Sequence, residues 1–180
     1  QLQVHSTRRT GWGVANGQID LAIIGGQLPP ELENLLQITP YGTDELALVL
    51  PSKHRLSKEK ELAKEDLYTL NFVTLDSQST TRKVVDELLK NSGLDIQRLK
   101  IEMELNSLEA IKNAVQSGLG AAFLPVVSIE RELASGTLHK PLITDLGVKR
   151  ELKLITNPSR YTSKASEAFK KDILPQFSSF

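Results

Sequence analysis

The sequence predicts an α/β fold, on three observations. Short strand-like apolar runs alternate with segments whose apolar residues recur at helical spacing. The runs end in strand-stopping residues: Ile24 before Gly25-Gly26, Leu50 before Pro51, Leu124 before Pro125. The 180 residues are 39% hydrophobic and 24% charged, a globular composition with enough chain for one large domain or two small ones.

The elements follow in order. Gln1 to His5 alternates polar and apolar residues, as a half-buried strand does. Ser6 or Thr7 can cap a helix carrying Trp12, Val14 and Ala15 and stopping near Asn16-Gly17. Asp20 to Ile24 is a continuous apolar run closed by glycines, which reads as a buried parallel strand. Leu28-Pro29-Pro30-Glu31 reads as a turn or loop, and Glu45 to Leu50 as a strand stopped by Pro51. Ser52 to Asp66 is rich in Lys and Glu and reads as a solvated loop with a short helix. Phe72 to Asp76 is a strand leading into a helix with Val84, Val85, Leu88 and Leu89 on one face, ended by Asn91-Ser92-Gly93.

Leu99, Ile101, Met103 and Leu105 alternate with charged residues, giving a period-two strand with one wet face. Asn106 with Glu109 three residues on resembles a capping box for a helix buried through Leu108, Ile111 and Val115. Gly118-Leu119-Gly120 closes that helix as a C-cap with a tight return. Ala121 to Pro125 is a short strand, and Glu130 to Leu133 a helix ended by Ser135-Gly136. Arg150 to Thr156 is a strand, and Ser163 can cap a last helix carrying Ala165, Ala168, Phe169 and Ile173. Strands alternating with helices imply parallel βαβ units.

Composition excludes several function classes. Lys and Arg number 22 against 22 Asp and Glu, so no excess of positive charge marks a phosphate-backbone binder. With no cysteine there is no disulfide, zinc–thiolate site, iron–sulfur cluster or Cys nucleophile. No apolar run reaches the length of a membrane span. Gln1 enters directly into a strand-like stretch, so no signal peptide is read there, and the chain is expected to be a fragment of a longer protein.

Ligands of such sheets bind outside the carboxyl ends of strands, beside helix N-termini. Five spots qualify: Ser6-Thr7-Arg8, Gly25-Gly26, Ser77-Gln78-Ser79-Thr80-Thr81-Arg82, Asn106-Ser107, and Phe123-Leu124-Pro125. The third has the strongest chemistry. Hydroxyls and free backbone N–H groups at a helix start make an anion cradle, and Arg82 can add a two-pronged clamp on carboxylate or phosphate. Simple capping with no ligand explains the same hydroxyls.

No catalytic residue emerges, and none is predicted to bind metal. His5, His54 and His139 stand apart, no Gly-x-Ser-x-Gly, Gly-x-Gly-x-x-Gly or Walker loop occurs, and Asp20, Asp44 and Asp76 lack metal-ligand spacing. An enzyme is not expected.

Three stretches carry a resemblance. Asn16-Gly17-Gln18-Ile19-Asp20-Leu21-Ala22-Ile23, Asp44 to His54 with Leu48-Val49-x-Pro51-x-x-His54, and Ala114 to Pro125 with Val-x-x-Gly-x-Gly-x-x-x-x-Pro stand in that order. Together they resemble the effector-binding domain of LysR-type transcriptional regulators. Val4 to Thr10, Leu75 to Thr80 and Glu102 to Lys112 are similar to the RbcR/CbbR-like branch, the carbon-fixation regulators of cyanobacteria, plastids and autotrophic bacteria.

The resemblance implies two Rossmann-like subdomains of periplasmic-binding-protein type II architecture, joined by two crossing segments. Their expected bounds are 1–70 plus 148–180, and 71–147. It implies no cofactor, and a small anionic effector in the inter-subdomain cleft: 2-phosphoglycolate, ribulose bisphosphate, 2-oxoglutarate or NADPH. The expected effector residues are Ser6, Thr7, Arg8, Gly25, Ser77, Gln78, Ser79, Thr80, Arg82, Asn106, Ser107, Phe123 and Pro125. It also implies a homodimer through this domain and a tetramer for the full-length protein. Promoter DNA would be bound only through an N-terminal domain outside this chain, and the family's first strand and helix are expected upstream too. The setting implied is cytoplasmic, or plastid stroma in an alga, with no membrane partner. A periplasmic-type solute-binding receptor for transport is the alternative on the same architecture.

Overall fold

The structure is a computed structural model in which residues 5–177 are described. All but His5 of the expected first strand lies outside them. The chain divides into two compact units, 1–44 with 150–180, and 45–149.

In the first unit, α1 (Thr7–Ala15) starts at Ser6, whose Oγ accepts from the Arg9 N–H at 3.4 Å. Gly11 would cost helix stability in isolation. Here a Cβ at Gly11 would lie 2.7 Å from Leu28 Cδ2 and 2.9 Å from Leu32 Cδ1, so the glycine permits close packing. β1 (Leu21–Ile24) pairs antiparallel with β9 (Lys149–Thr156), from Leu21 opposite Thr156 to Ile24 opposite Lys153. The expectation of a buried parallel strand is corrected: Ile23 is exposed, and an apolar run alone does not encode strand direction. α2 (Pro30–Glu33) replaces the expected loop, because Pro30 occupies a first-turn position where its missing N–H is harmless. Val14, Ile24, Leu28, Leu32, Leu36 and Ile155 form this unit's core. The last helix α6 (Lys164–Ala168) is capped by Ser163, as its sequence predicts, and continues as a π-helical turn over Phe169–Ile173.

The second unit is layered. β4 (Asn71–Leu75) lies parallel to β5 (Lys100–Leu105), from Asn71 opposite Lys100 to Leu75 opposite Leu105. On its other side β4 meets Ala121 in a parallel bridge, just before β6 (Ala122–Pro125). β6 is antiparallel to β2 (Gln37–Pro51), with Leu46 opposite Pro125 and Val49 opposite Ala122. Two short strands, β3 (Glu61–Leu62) and β8 (Leu142–Ile143), pair in parallel, and β7 (Leu138–His139) pairs with β2.

Helix α3 (Thr80–Asn91) packs Val85 and Leu89 into a core with Leu46, Leu48, Phe72 and Leu94. Helix α4 (Leu108–Gln116) packs Ile111, Ala114 and Val115 into a second core with Val49, Val73, Ala122 and Leu124. Adjacent strand residues point to opposite faces, so Phe72 serves one core and Val73 the other. Helix α5 (Glu130–Ala134) follows β6, as expected.

Three further expectations change. The first division falls at 44/45 rather than near 70, while the second, at 149/150, lies within two residues of the expected 147/148. Leu46, Leu48 and Leu50 share a core with Leu62, Leu67, Leu70 and Phe72, which binds 45–70 to the second unit. The strand expected over Glu45 to Leu50 is the C-terminal part of a 15-residue strand. The N-cap of α4 is Ser107, not Asn106; it makes no side-chain cap bond, and Glu109 pairs with Lys112 at 2.9 Å.

The period-two reading of β5 also breaks. Phe72 pairs with Ile101 and Val73 with Met103, so Glu102 is an extra residue, a bulge. Ile101 therefore packs against one core and Leu105 against the other, and Met103 is 38% exposed.

Candidate functional site

The second unit gathers most of the expected residues. The carboxyl ends of β4 and β5 are adjacent, since Leu75 faces Leu105 and the Asp76 N–H donates to Leu105 O at 3.1 Å. Each strand then runs into a helix start, Ser79 before α3 and Ser107 before α4. Ser77, Gln78, Ser79 and Thr80 thus come beside Asn106 and Ser107, from segments distant in sequence. Asp76 shapes the first loop: its Oδ1 accepts from the Gln78 N–H at 2.9 Å and its backbone O from the Ser79 N–H at 2.9 Å. Ser77, Gln78, Asn106 and Ser107 are exposed. Neither Ser79 nor Ser107 caps its helix with its side chain, so the capping explanation of these two hydroxyls is not realised.

Arg82 is engaged within the fold. Its Nε donates to both carboxylate oxygens of Asp86 at 2.8 Å, four residues on, and its Nη1 donates to Thr74 Oγ1 and to Leu75 O. Nη1 also lies 3.6 Å from Glu104 Oε1. Thr74 and Glu104 are opposite one another in the β4–β5 ladder. Strict alternation from Ile101 would turn Glu104 to the other face; the bulge at Glu102 re-aims it toward Arg82. One guanidinium thus meets two carboxylates, and only Nη2 makes no hydrogen bond among the described residues. The positive charge this loop can turn toward an anion therefore lies mainly in the N-terminal end of the α3 dipole.

Behind this network lies a small open pocket, lined by Phe72, Thr74, Leu75, Thr81, Arg82, Val85, Asp86, Leu89, Leu99, Ile101 and Phe123. Phe123 stacks on Phe72 with ring centroids 6.1 Å apart and planes 4° from parallel, which places it in the same wall as Arg82. Pro125 is buried opposite Leu46 and does not line this pocket.

The remaining expected residues belong to the first unit. Ser6 and Arg8 are exposed at the start of α1, and Thr7 is buried. Gly25 follows β1, with the Arg150 guanidinium against it. Sequence reasoning missed Arg150, which pairs with buried Asp44, because the two stand 106 positions apart. It also missed the partners of Arg82. The Arg82–Asp86 spacing was legible as a helical i,i+4 pair, but Glu104 needed the strand register.

Outside this region, Asp20 accepts from Ser163 Oγ at 2.7 Å and Ser166 Oγ at 2.5 Å, bonds that hold its carboxyl below the usual range. His54 is held below its usual pKa by partial burial and by neighbouring Arg55, and its Nδ1 accepts from the Leu56 N–H at 3.2 Å. Among the described residues no three His, Cys, Asp or Glu group as a metal site, and no helix is long and apolar enough to cross a membrane.

This architecture is that of the type II periplasmic-binding-like effector domains. The chain belongs to the LysR substrate binding domain family, which matches residues 1–178. Over 178 residues it is 61% identical to a protein of Synechocystis named "Probable RuBisCO transcriptional regulator", covering 99% of this chain and 52% of the relative. A protein of the same name from Guillardia theta is 60% identical over 98% of this chain and 57% of its own length. The chain thus spans about half the length of the curated relatives it matches. Among solved structures, the CcmR regulatory domain of Synechocystis PCC6803 in complex with 2-PG superposes with a TM-score of 0.82 at 24% identity, covering 99% of this chain and 83% of that one. The effector binding domain of QuiR in complex with shikimate gives 0.78 at 22% identity, over 97% and 78%. These likenesses establish the shared fold.

Proposed function

We propose that this chain is the effector-sensing domain of a LysR-type transcription factor controlling rubisco or inorganic-carbon assimilation genes, and that a small anionic metabolite is its signal. The observation that carries the reading is the meeting of two helix starts at the adjacent ends of β4 and β5. The Ser79 and Thr80 segment offers the Ser79 hydroxyl and the positive end of α3. Arg82 offers Nη2, and Asn106 and Ser107 offer polar groups from the neighbouring loop. In the first unit Ser6, Thr7, Arg8 and Gly25 are the assigned contacts. The names of the relatives support the regulatory class.

2-Phosphoglycolate is the leading effector, with ribulose bisphosphate, 2-oxoglutarate and NADPH as the other anions to test. Binding changes the domain's state only to the extent that it favours one state over another. That change is read out through a homodimer of this domain, tetrameric in the full-length regulator. The DNA is contacted by a segment outside this chain, in cytoplasm or plastid stroma.

Isothermal titration calorimetry with the four anions tests the reading. Saturable one-to-one binding of at least one is expected. Heats of dilution alone for all four would remove the proposal.

A further inference from the structure

We propose that Arg150 is a positioning residue of the effector site, held by Asp44 and acting through the Gly25–Gly26 turn. This rests on the reading that Gly25 belongs to the effector contacts. The first unit's own geometry carries the argument. Asp44 is the residue of β2 at which the first unit ends, and Arg150 the residue of β9 at which it resumes. The two meet: Arg150 Nε donates to Asp44 Oδ2 at 2.9 Å and Nη2 donates to the same oxygen at 2.5 Å. The pair is enclosed, with the Asp44 side chain 9% and the Arg150 side chain 16% exposed. An enclosed charge pair has one favoured arrangement, since separating it leaves a carboxylate in a poorly hydrated site.

The third participant is Gly25. A Cβ there would lie 3.1 Å from Arg150 Nε and 3.2 Å from both Cδ and Cζ. Any side chain at this position would press on the guanidinium, which would have to give by a few tenths of an ångström. Gly25 therefore supplies no ligand-binding side chain; it supplies the space that the Arg150 guanidinium occupies beside the turn after β1. The turn's backbone in return has its position set by a group anchored on two other strands. With β1 and β9 in register up to Ile24 opposite Lys153, the guanidinium braces the chain where that ladder ends. An effector using this turn's backbone would meet a pre-positioned surface.

Two variants separate this role from simple folding. Asp44→Asn with Arg150→Gln removes both charges of this pair together. Gly25→Ala keeps both charges and shifts the guanidinium by a few tenths of an ångström, by sterics alone. For each, circular dichroism first fixes a temperature at which the protein is fully folded, and 2-phosphoglycolate is then titrated there. NMR relaxation of the residue 25 and 26 amides is measured without ligand. Both variants are expected to bind about tenfold more weakly, within the usual span of coupling between sites, and to show greater mobility at residues 25 and 26 with α1 amides unchanged. Arg150→Lys, which keeps the charge, is expected to recover part of the affinity. Wild-type affinity and mobility in both variants would overturn the inference while leaving the effector reading intact. A wild-type protein that binds none of the anions would overturn the effector reading, and with it the effector role given to Arg150.

Discussion

Replacing Arg82 by alanine is the most informative perturbation, because it tests whether this side chain serves the fold as well as a ligand. The substitution removes the paired contact of Nε with Asp86 and the Nη1 bonds to Thr74 and Leu75 O. Hydrogen bonds to charged groups contribute about 1.5–3 kcal/mol each, but the Asp86 side chain is 26% exposed and water can replace part of the loss. A net cost of about 2–3 kcal/mol follows. For a chain of this size that lowers the melting temperature by roughly 4–12 °C. Arg82→Lys keeps the charge without the fork and should cost about 1 kcal/mol. Arg82→Ala combined with Asp86→Ala should cost less than the sum of the single changes, since each partner is then absent together. Urea denaturation of the wild type, Arg82→Ala, Arg82→Lys, Asp86→Ala and the double variant measures all of this. A loss within about 0.5 kcal/mol for Arg82→Ala, the range of an ordinary surface substitution, would refute the brace. The result also decides how binding data are read: lost affinity in Arg82→Ala is evidence of contact only below its own unfolding transition, and Arg82→Lys is the cleaner probe.

Other consequences are equally direct. A Cβ at Gly120 would lie 2.7 Å from Asn71 O, so Gly120→Ala must push apart the pairing in which Ala121 N–H donates to Asn71 O at 2.7 Å and Val73 N–H donates to Ala121 O at 2.9 Å. Loss of that pairing should cost about 2–3 kcal/mol in a urea titration, at about 1 kcal/mol per bond plus the strain. The Asp20 carboxyl is depressed by its bonds from Ser166 and Ser163, so its contribution is complete above the ordinary value of 3.8 and is lost as pH falls through the lower folded-state value. Amides of residues 164–168 should then exchange faster in acid, after correction for intrinsic rates, and Asp20→Asn should abolish that pH dependence. His54 is likewise depressed, by burial first and Arg55 second, so its neutral form is the one the fold favours. The Leu56 N–H should stay protected above the ordinary value of 6.5 and lose protection as pH falls through the lower folded-state value, because a protonated Nδ1 cannot accept that bond.

Local signals were read well where they are local in origin. Ser6 and Ser163 cap their helices, and Gly118 turns the chain out of α4 at φ 84°. Val85, Leu89, Ile111 and Val115 are buried as helical spacing requires. In each case the bond or the face is decided within a few residues of sequence. The same holds for the loop after Asp76, whose side chain organises its own neighbours. It does not hold for Arg82, whose partners Thr74 and Glu104 lie on two strands.

Local pattern alone encodes that this chain alternates strands and helices, where most of those elements begin and stop, and which three motifs mark its family. Strand direction, register and partner choice came only from the tertiary structure, because hydrophobic pattern reports burial and not which strand lies alongside. That is why β1 proved antiparallel, why one extra residue at Glu102 sent Glu104 to Arg82, and why Asp44 and Arg150, 106 positions apart, met beside a glycine.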